Sequence, residues 1–209
     1  MLGNGDKRME TESVMGVVLA GGQGRRMGGR HKAFVELAGK PLISHVISRL
    51  GPQTADLVIS ANQQQDRLGA YGYAVIPDTE ADCGPLAGVL AVMAHVRRQR
   101  REIKWLLTAA VDSPLFPHDY GARMWAGLSA AGAGMACAAS NGRLHPVFAL
   151  WPLSLHDTLK QAVEEGGVRG AGRFIRGQDW AEVDFSDPGR DPFFNINTEE
   201  DLIEAARFL

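Results

Sequence analysis

The stretch VMGVVLAGGQGRRMGGRHKAF, Val14 to Phe34, decides how the rest of the chain is read. It opens as an apolar β-type run, VMGVV. From Leu19 to Phe34, sixteen positions then hold five glycines and four permanent cations, Arg25, Arg26, Arg30 and Lys32. Glycines let backbone N–H groups turn toward an anion without a Cβ in the way. Arginine adds forked donors matched to phosphate oxygens, and lysine a mobile point charge. A strand that runs straight into such a loop has the chemistry of a phosphate cradle; a solvated surface loop is the plainer reading.

Two common glycine fingerprints fail here. For GxGxxG, Gly22 and Gly24 fit but the third place is Met27, and the acidic ribose ligand expected about 20 residues on is missing. For GxxxxGK[ST], Gly24 and Gly29 fit, but Arg30 and His31 stand where lysine and a hydroxyl belong. The segment KAFVELAGKPL also separates the glycines from the next helical pattern, so the loop does not feed directly into a helix N-terminus.

Outward from that loop, apolar strand-like runs alternate with stretches of helical spacing. The strands are expected at Val14–Ala20, Leu57–Ala61, Ala74–Ile76, Leu106–Val111, Met135–Ala139 and Pro146–Leu150. Helices are expected at Pro41–Leu50, Pro85–Arg100, Tyr120–Ala131, Leu153–Glu165 and Thr198–Phe208. Several strands are apolar throughout, as strands covered on both faces are. The alternation predicts an α/β fold with a mainly parallel sheet and right-handed crossovers. Such sheets bind ligands beyond the carboxyl ends of their strands, which directs attention to the loops.

Those loops carry carboxylates and amides. IPDTEADCGPLAG places Asp78 just past the third strand and Pro85 at the first position of a helix. LLTAAVDSPLFP ends a buried run at Asp112, where the side chain can cap the turn at Ser113-Pro114 or hold a divalent cation beside a polyphosphate. FFNINTEEDL puts Asn195 and Asn197 two apart, on one face if the segment is extended. Thr198-Glu-Glu-Asp201 approaches a capping box. The six histidines are scattered, and His145, before Pro146, reads as structural.

Composition bounds the rest. At 209 residues, the chain is expected to comprise a flexible N-terminal tail, residues 1–13, and a single domain, residues 14–209. A net charge of −2 leaves no cation excess for general nucleic-acid binding, so no nucleic-acid partner is expected. The second basic run, Arg97, Arg98, Arg100 and Arg101, falls at a helix end, where cations complement the macrodipole. Two cysteines, Cys83 and Cys137, form no CxxC pattern, which suits a reducing compartment. No window approaches the roughly 20 apolar residues of a membrane span, so the expectation is a cytoplasmic protein without a membrane partner.

In order, LAGGQGRRMGG-RHK, GKPLISHV, GPLAGVLAVM, VDSPLFP, LHPVFALW, VDFSD and FFNINTEEDL resemble the molybdenum cofactor guanylyltransferases, the MobA-type nucleotidyltransferases, from Val14 to Leu209. The resemblance implies a Rossmann-like nucleotidyltransferase fold, with a mainly parallel sheet flanked by helices on both faces. It also implies transfer of GMP from Mg²⁺-GTP to a phosphate of the molybdopterin cofactor, with release of pyrophosphate. Carried onto this chain, Leu19, Ala20, Gly21 and Gly22 would line the guanine nucleotide, and Lys32 would meet its phosphates. Ser60, Asn62 and Asp78 would fix base and ribose, and Asp112 would ligate Mg²⁺. Arg26, Gly29, Asn195 and Asn197 would face the pterin substrate. Lys32, Asp112 and Arg26 are the expected catalytic positions. Expected partners are these two substrates and proteins that deliver the cofactor or receive it as molybdoenzymes.

Two positions depart from the family. His31 stands where aspartate commonly precedes the loop lysine, and Ser60 where asparagine often ends the second strand. Two alternatives therefore stay open. One is a cytidylyltransferase on the same cofactor, whose members tend to read LAAG where this chain has LAGG. The other is a catalytically weakened nucleotide- or cofactor-binding partner of molybdoenzymes.

Overall fold

A computed structural model describes residues 11–21, 31–78, 84–165 and 170–209. Seven strands form one sheet: β1 (Val14–Leu19), β4 (Asp56–Ser60), β5 (Ala74–Ile76), β6 (Trp105–Ala110), β7 (Met135–Ser140), β8 (Arg143–Pro152) and β9 (Trp180–Asp184). Their order is β5-β4-β1-β6-β8-β7-β9. A two-stranded ribbon, β2 (Glu36–Leu37) with β3 (Lys40–Pro41), stands apart from it. The helices are α1 (Leu42–Leu50), α2 (Gln65–Gly69), α3 (Pro85–Gln99), α4 (Tyr120–Ala131), α5 (His156–Glu164), α6 (Ala171–Arg176) and α7 (Glu199–Ala206).

β1 is an interior strand paired on both edges, and every one of its residues is buried. Val14 and Val18 pack on one face with Ile43, Val46 and Leu50 of α1 and Tyr120, Met124 and Leu128 of α4. Met15, Val17 and Leu19 pack on the other face, with Leu86, Val89, Val92, Met93 and Val96 of α3, Leu159 and Val163 of α5, and Phe174 of α6. That two-sided burial is why the opening run is apolar at every position. The expected α/β architecture, mainly parallel and helix-covered on both faces, is the one observed.

The departure from all-parallel pairing has a local cause. β8 pairs antiparallel with both β6 and β7. It follows β7 through Asn141-Gly142, whose φ angles of 49° and 72° are those of a two-residue hairpin turn. Such turns need positive φ at both central residues, and Asn-Gly is the preferred pair. Ala38-Gly39, with φ of 48° and 75°, makes the same connection between β2 and β3. β9 and the short helices α2 and α6 add elements beyond those expected from the sequence. The expected helix over Leu153–Glu165 resolves into a 3₁₀ turn at Leu153–Leu155 followed by α5. Of the expected tail, residues 11–13 form a 3₁₀ turn in which Ser13 O accepts from Lys104 N at 2.8 Å; residues 1–10 lie outside the described residues.

The order of strands positions the site. From β1 the chain passes through α1 to β4 on one side, then returns from β5 through α3 to β6 on the other. The crevice at that reversal, beyond the carboxyl end of β1, is where open α/β sheets take ligands. α3 lies close over this edge: a Cβ on Gly88 would sit 2.4 Å from Ser60 Oγ and 3.4 Å from Leu19 Cδ2. Gly88→Ala gains up to about 1 kcal/mol of helix propensity but overpacks a buried contact at about 1–3 kcal/mol. A lower denaturation midpoint is expected, largely restored in the Gly88→Ala/Ser60→Ala double variant, which removes the clashing hydroxyl.

Candidate active site at the carboxyl edge of the sheet

The pairing register aligns the ends of four parallel strands. Leu19 pairs with Ser60 and with Ala110, and Ser60 pairs with Ile76. Gly21, Asn62, Asp78 and Asp112 each lie two residues beyond that row, so four loops separated widely in sequence emerge side by side. Ala20 N donates to Ser60 O at 2.9 Å, Ala61 N to Ile76 O at 3.2 Å and Val111 N to Leu19 O at 3.1 Å, which carries the alignment one residue past the strands.

Lys32 joins this row from the far side of the glycine loop. It begins a 3₁₀ turn, Lys32–Phe34, after which the β2–β3 ribbon and α1 follow. Its Nζ donates to Asp112 Oδ2 at 2.7 Å and to Asn197 Oδ1 at 2.5 Å. The two side chains of the ion pair are 14% and 25% exposed, so the junction is shielded yet reachable from solvent. Of the three N–H groups on the ammonium, these two bonds use two; among the described residues the third has no acceptor, which suits an incoming anion.

The segment carrying Asn195 and Asn197 is tied to the Asp112 turn. Ile196 N donates to Asp112 O at 2.7 Å, and Ser113 Oγ donates to Asn195 Oδ1. Ile196 is fully buried against Val35, Leu37, Leu42 and Leu115. Asn195 and Asn197 thus flank a buried residue and meet Ser113 and Lys32 respectively. α7 secures the end of the segment. Thr198 caps it, and the capping box expected from Thr198 and Asp201 is present. Asp201 Oδ2 accepts from Asn197 N at 2.7 Å and Thr198 N at 2.8 Å.

On the nucleotide side, Asn62 and Asp78 pair reciprocally. Asn62 Nδ2 donates to Asp78 Oδ1 at 2.9 Å, and Asp78 N donates to Asn62 Oδ1 at 2.8 Å. Asn62 is exposed and Asp78 half-buried, whereas Ser60 is buried at 3% beneath Gly88. His31 lies beside Lys32 with its ring 5.5 Å from that of Phe34, and Arg67 sits 3.7 Å over the Phe34 ring. Burial, aided by the Arg67 charge, lowers the His31 pKa and favours the neutral imidazole. Its Nδ1 is buried without a hydrogen-bond partner among the described residues.

The structure therefore brings together Lys32, Asp112, Asn195 and Asn197, and sets Leu19, Ala20, Gly21, Ser60, Asn62 and Asp78 along the same edge. Gly22, Arg26 and Gly29, also expected at the site, lie outside the described residues, as do Arg25 and Arg30. Ser113 and Asp201, which hold the asparagines in place, were not among the expected site residues. The hydroxyl directly after Asp112 and the carboxylate of the capping box were their only signals.

No group of three or more His, Cys, Asp or Glu suited to a metal is present among the described residues. The donor set still fits Mg²⁺, which keeps several waters and is held through one or two carboxylates plus substrate phosphates. Asp112 supplies one such carboxylate at the end of β6. No described helix is long and apolar enough to cross a membrane.

A largely parallel sheet with a cation, a carboxylate and amides gathered at its carboxyl edge is the arrangement of a Rossmann-like nucleotidyltransferase. The chain belongs to the MobA-like NTP transferase family, whose domain matches residues 16–183. It is 43% identical over 198 residues to a molybdenum cofactor guanylyltransferase of Bradyrhizobium sp. (strain ORS 278), covering 94% of this chain and 93% of that one. A guanylyltransferase of the same name from Rhizobium meliloti (strain 1021) is 41% identical, covering 92% and 90%. The crystal structure of molybdopterin-guanine dinucleotide biosynthesis protein A from Archaeoglobus fulgidus superposes with a TM-score of 0.72 at 26% identity, covering 92% of this chain and 97% of that one.

Proposed function

We propose that this chain transfers GMP from GTP to the terminal phosphate of the molybdopterin cofactor. An oxygen of that phosphate attacks the α-phosphorus of GTP and forms the new P–O bond. The bond from the α-phosphorus to the bridging oxygen breaks, and pyrophosphate leaves with the electron pair. The observation that carries this reading is the Lys32–Asp112–Asn197 junction at the carboxyl edge of β1 and β6. The names of the relatives and the LAGG at Leu19–Gly22 favour guanine and molybdopterin as the substrates.

Phosphoryl-type transfer asks a protein for alignment and charge neutralisation rather than a covalent nucleophile. The chain supplies the first through the row of loop residues. Ser60, Asn62 and Asp78 help fix base and ribose, and the backbone of Leu19, Ala20 and Gly21 lines the nucleotide, with Gly22 assigned to it from the sequence. Lys32 supplies the second by turning its third N–H to the triphosphate. Asp112 would hold Mg²⁺, whose contribution when bound is to neutralise phosphate charge. Asn195 and Asn197 orient the acceptor substrate, with Arg26 and Gly29 assigned to it from the sequence. We place the reaction in the cytoplasm, where the buried Cys137 thiol, pushed up to about 12 chiefly by burial, would stay inert.

Incubation of the protein with Mg²⁺, molybdopterin and either GTP or CTP tests this reading by pyrophosphate release. GTP is expected to be the better substrate; preference for CTP would overturn the guanine assignment. The buried His31 Nδ1, without a partner among the described residues, gives the weakened-site alternative its one specific observation. If the site is competent as it stands, His31→Asp changes turnover by less than about tenfold. A gain of about 10²-fold, the scale of one preorganised electrostatic contact, with unchanged GTP affinity would instead show that His31 has weakened catalysis.

A further inference from the structure

Beside the Asn195–Asn197 segment lies a polar cluster that the transfer reaction does not use directly. Ser140, the last residue of β7, is 1% exposed, and His145, across the hairpin on β8, is 6% exposed. Ser140 Oγ lies 2.7 Å from His145 Nε2 and 2.7 Å from Asp191 Oδ1. A carboxylate can only accept, and a serine hydroxyl has one proton. Ser140 therefore donates to Asp191 and must receive its second bond from His145, which assigns the proton to Nε2. The order is a one-way relay, His145 Nε2–H to Ser140 Oγ–H to Asp191. It differs from a nucleophilic triad, in which histidine stands in the middle and takes the serine proton.

Asp191 in turn shapes the chain that follows. The same Oδ1 accepts from Phe193 N at 3.0 Å, and Asp191 O accepts from Phe194 N at 3.1 Å. Phe193 is buried, with its ring 4.7 Å from that of His145 and 4.6 Å from that of Phe148. Two and four residues later come Asn195 on Ser113 and Asn197 on Lys32. The segment is thus held at both ends: by the α7 cap after Asn197, and by Asp191 before Asn195.

We propose that Ser140, His145 and Asp191 are positioning residues whose hydrogen-bond relay sets the register of Asn195 and Asn197 against Asp112 and Lys32, and so the fit of the acceptor phosphate substrate. The proposal rests on the transfer reaction proposed above. Burial keeps the His145 imidazole below its ordinary range, with the nearby Asp191 charge opposing that shift and Arg143 adding to it. The neutral Nε2–H donor is accordingly the working form. Protonation at Nδ1 would leave the Nε2–H in place.

The relay separates the two substrates, because it bears directly on Asn195 and Asn197, while Lys32 keeps its own ion pair with Asp112 when Asn197 shifts. Ser140→Ala breaks both bonds, and His145→Phe keeps the ring against Phe193 but cannot donate. Each is expected to raise the KM for molybdopterin about tenfold, the scale for one hydrogen bond to a charged group, while GTP affinity measured by direct titration stays within about twofold. His145→Gln, whose amide Nε2 can donate, should recover most of the loss. Hydrogen–deuterium exchange across 193–197, read without either substrate, should speed up in the first two variants while β1 and β6 stay protected.

Equal rises in both substrate constants, a general loss of protection, or unchanged exchange at 193–197 would overturn the relay. If the wild type releases no pyrophosphate with GTP and molybdopterin, the functional reading fails. The exchange and GTP titration arms then still decide whether the relay holds the segment.

Discussion

Lys32→Ala is expected to reduce pyrophosphate release from GTP and molybdopterin by about 10²-fold or more, the scale for removing one electrostatic contact in a preorganised site. Lys32 is the described cation that reaches both Asp112 and Asn197, and its third N–H, without an acceptor among the described residues, can follow charge onto the departing pyrophosphate. The fold should survive the change. Both partners sit at the edge of the sheet and keep some solvent contact, at 14% and 25% exposure, so Asp112 can stay hydrated when Lys32 is removed. Lys32→Arg should rescue poorly, since a planar guanidinium cannot reproduce a compact ammonium held between two oxygens in a confined space. Steady-state kinetics with circular dichroism as a folding control checks this. A folded Lys32→Ala protein with near wild-type turnover would remove Lys32 from the mechanism.

Asp112→Ala is expected to cost turnover on the same scale, about 10²-fold or more, for a separable reason. Asp112 acts in two ways: its backbone O receives Ile196 N, while its side chain meets Lys32. Alanine keeps the first and removes the second. The sharper variant is Asp112→Asn, which retains an acceptor for Lys32 but loses the negative charge needed to hold a divalent cation. Both variants should therefore lose the dependence of GTP affinity on Mg²⁺, a binding readout independent of turnover. If Asp112→Asn keeps wild-type Mg²⁺ dependence, the cation is held elsewhere, and Asp112 serves only to orient Lys32.

The site also shows why its parts were unevenly legible. Asp112 stands out in the sequence because a carboxylate that ends a buried apolar run is rare unless it caps or binds. Asn195 and Asn197 stand out by their spacing of two, which the structure explains through the buried Ile196 between them. Ser140 and His145 gave no such cue. A serine at a strand end and a histidine before proline are ordinary residues until the hairpin brings them into contact with Asp191, 51 positions from Ser140. The antiparallel β8 was written in the sequence as Asn141-Gly142, a turn signal that the apolar pattern of the flanking runs obscured.

Local chemistry in the sequence determined the elements: the all-apolar β1, the stripe of α1, the proline that opens α3, the cap of α7, and hence an α/β chain with charged and amide side chains waiting after its strands. Tertiary structure alone decided which of those loops meet. Lys32 finds Asp112 80 residues away and Asn197 165 residues away because β6 pairs beside β1 and α7 folds back over the β2–β3 ribbon. Strand order and register are set by non-local packing of both sheet faces. Periodicity along a single segment records which of its own faces are buried; it carries no information about the neighbour that buries them.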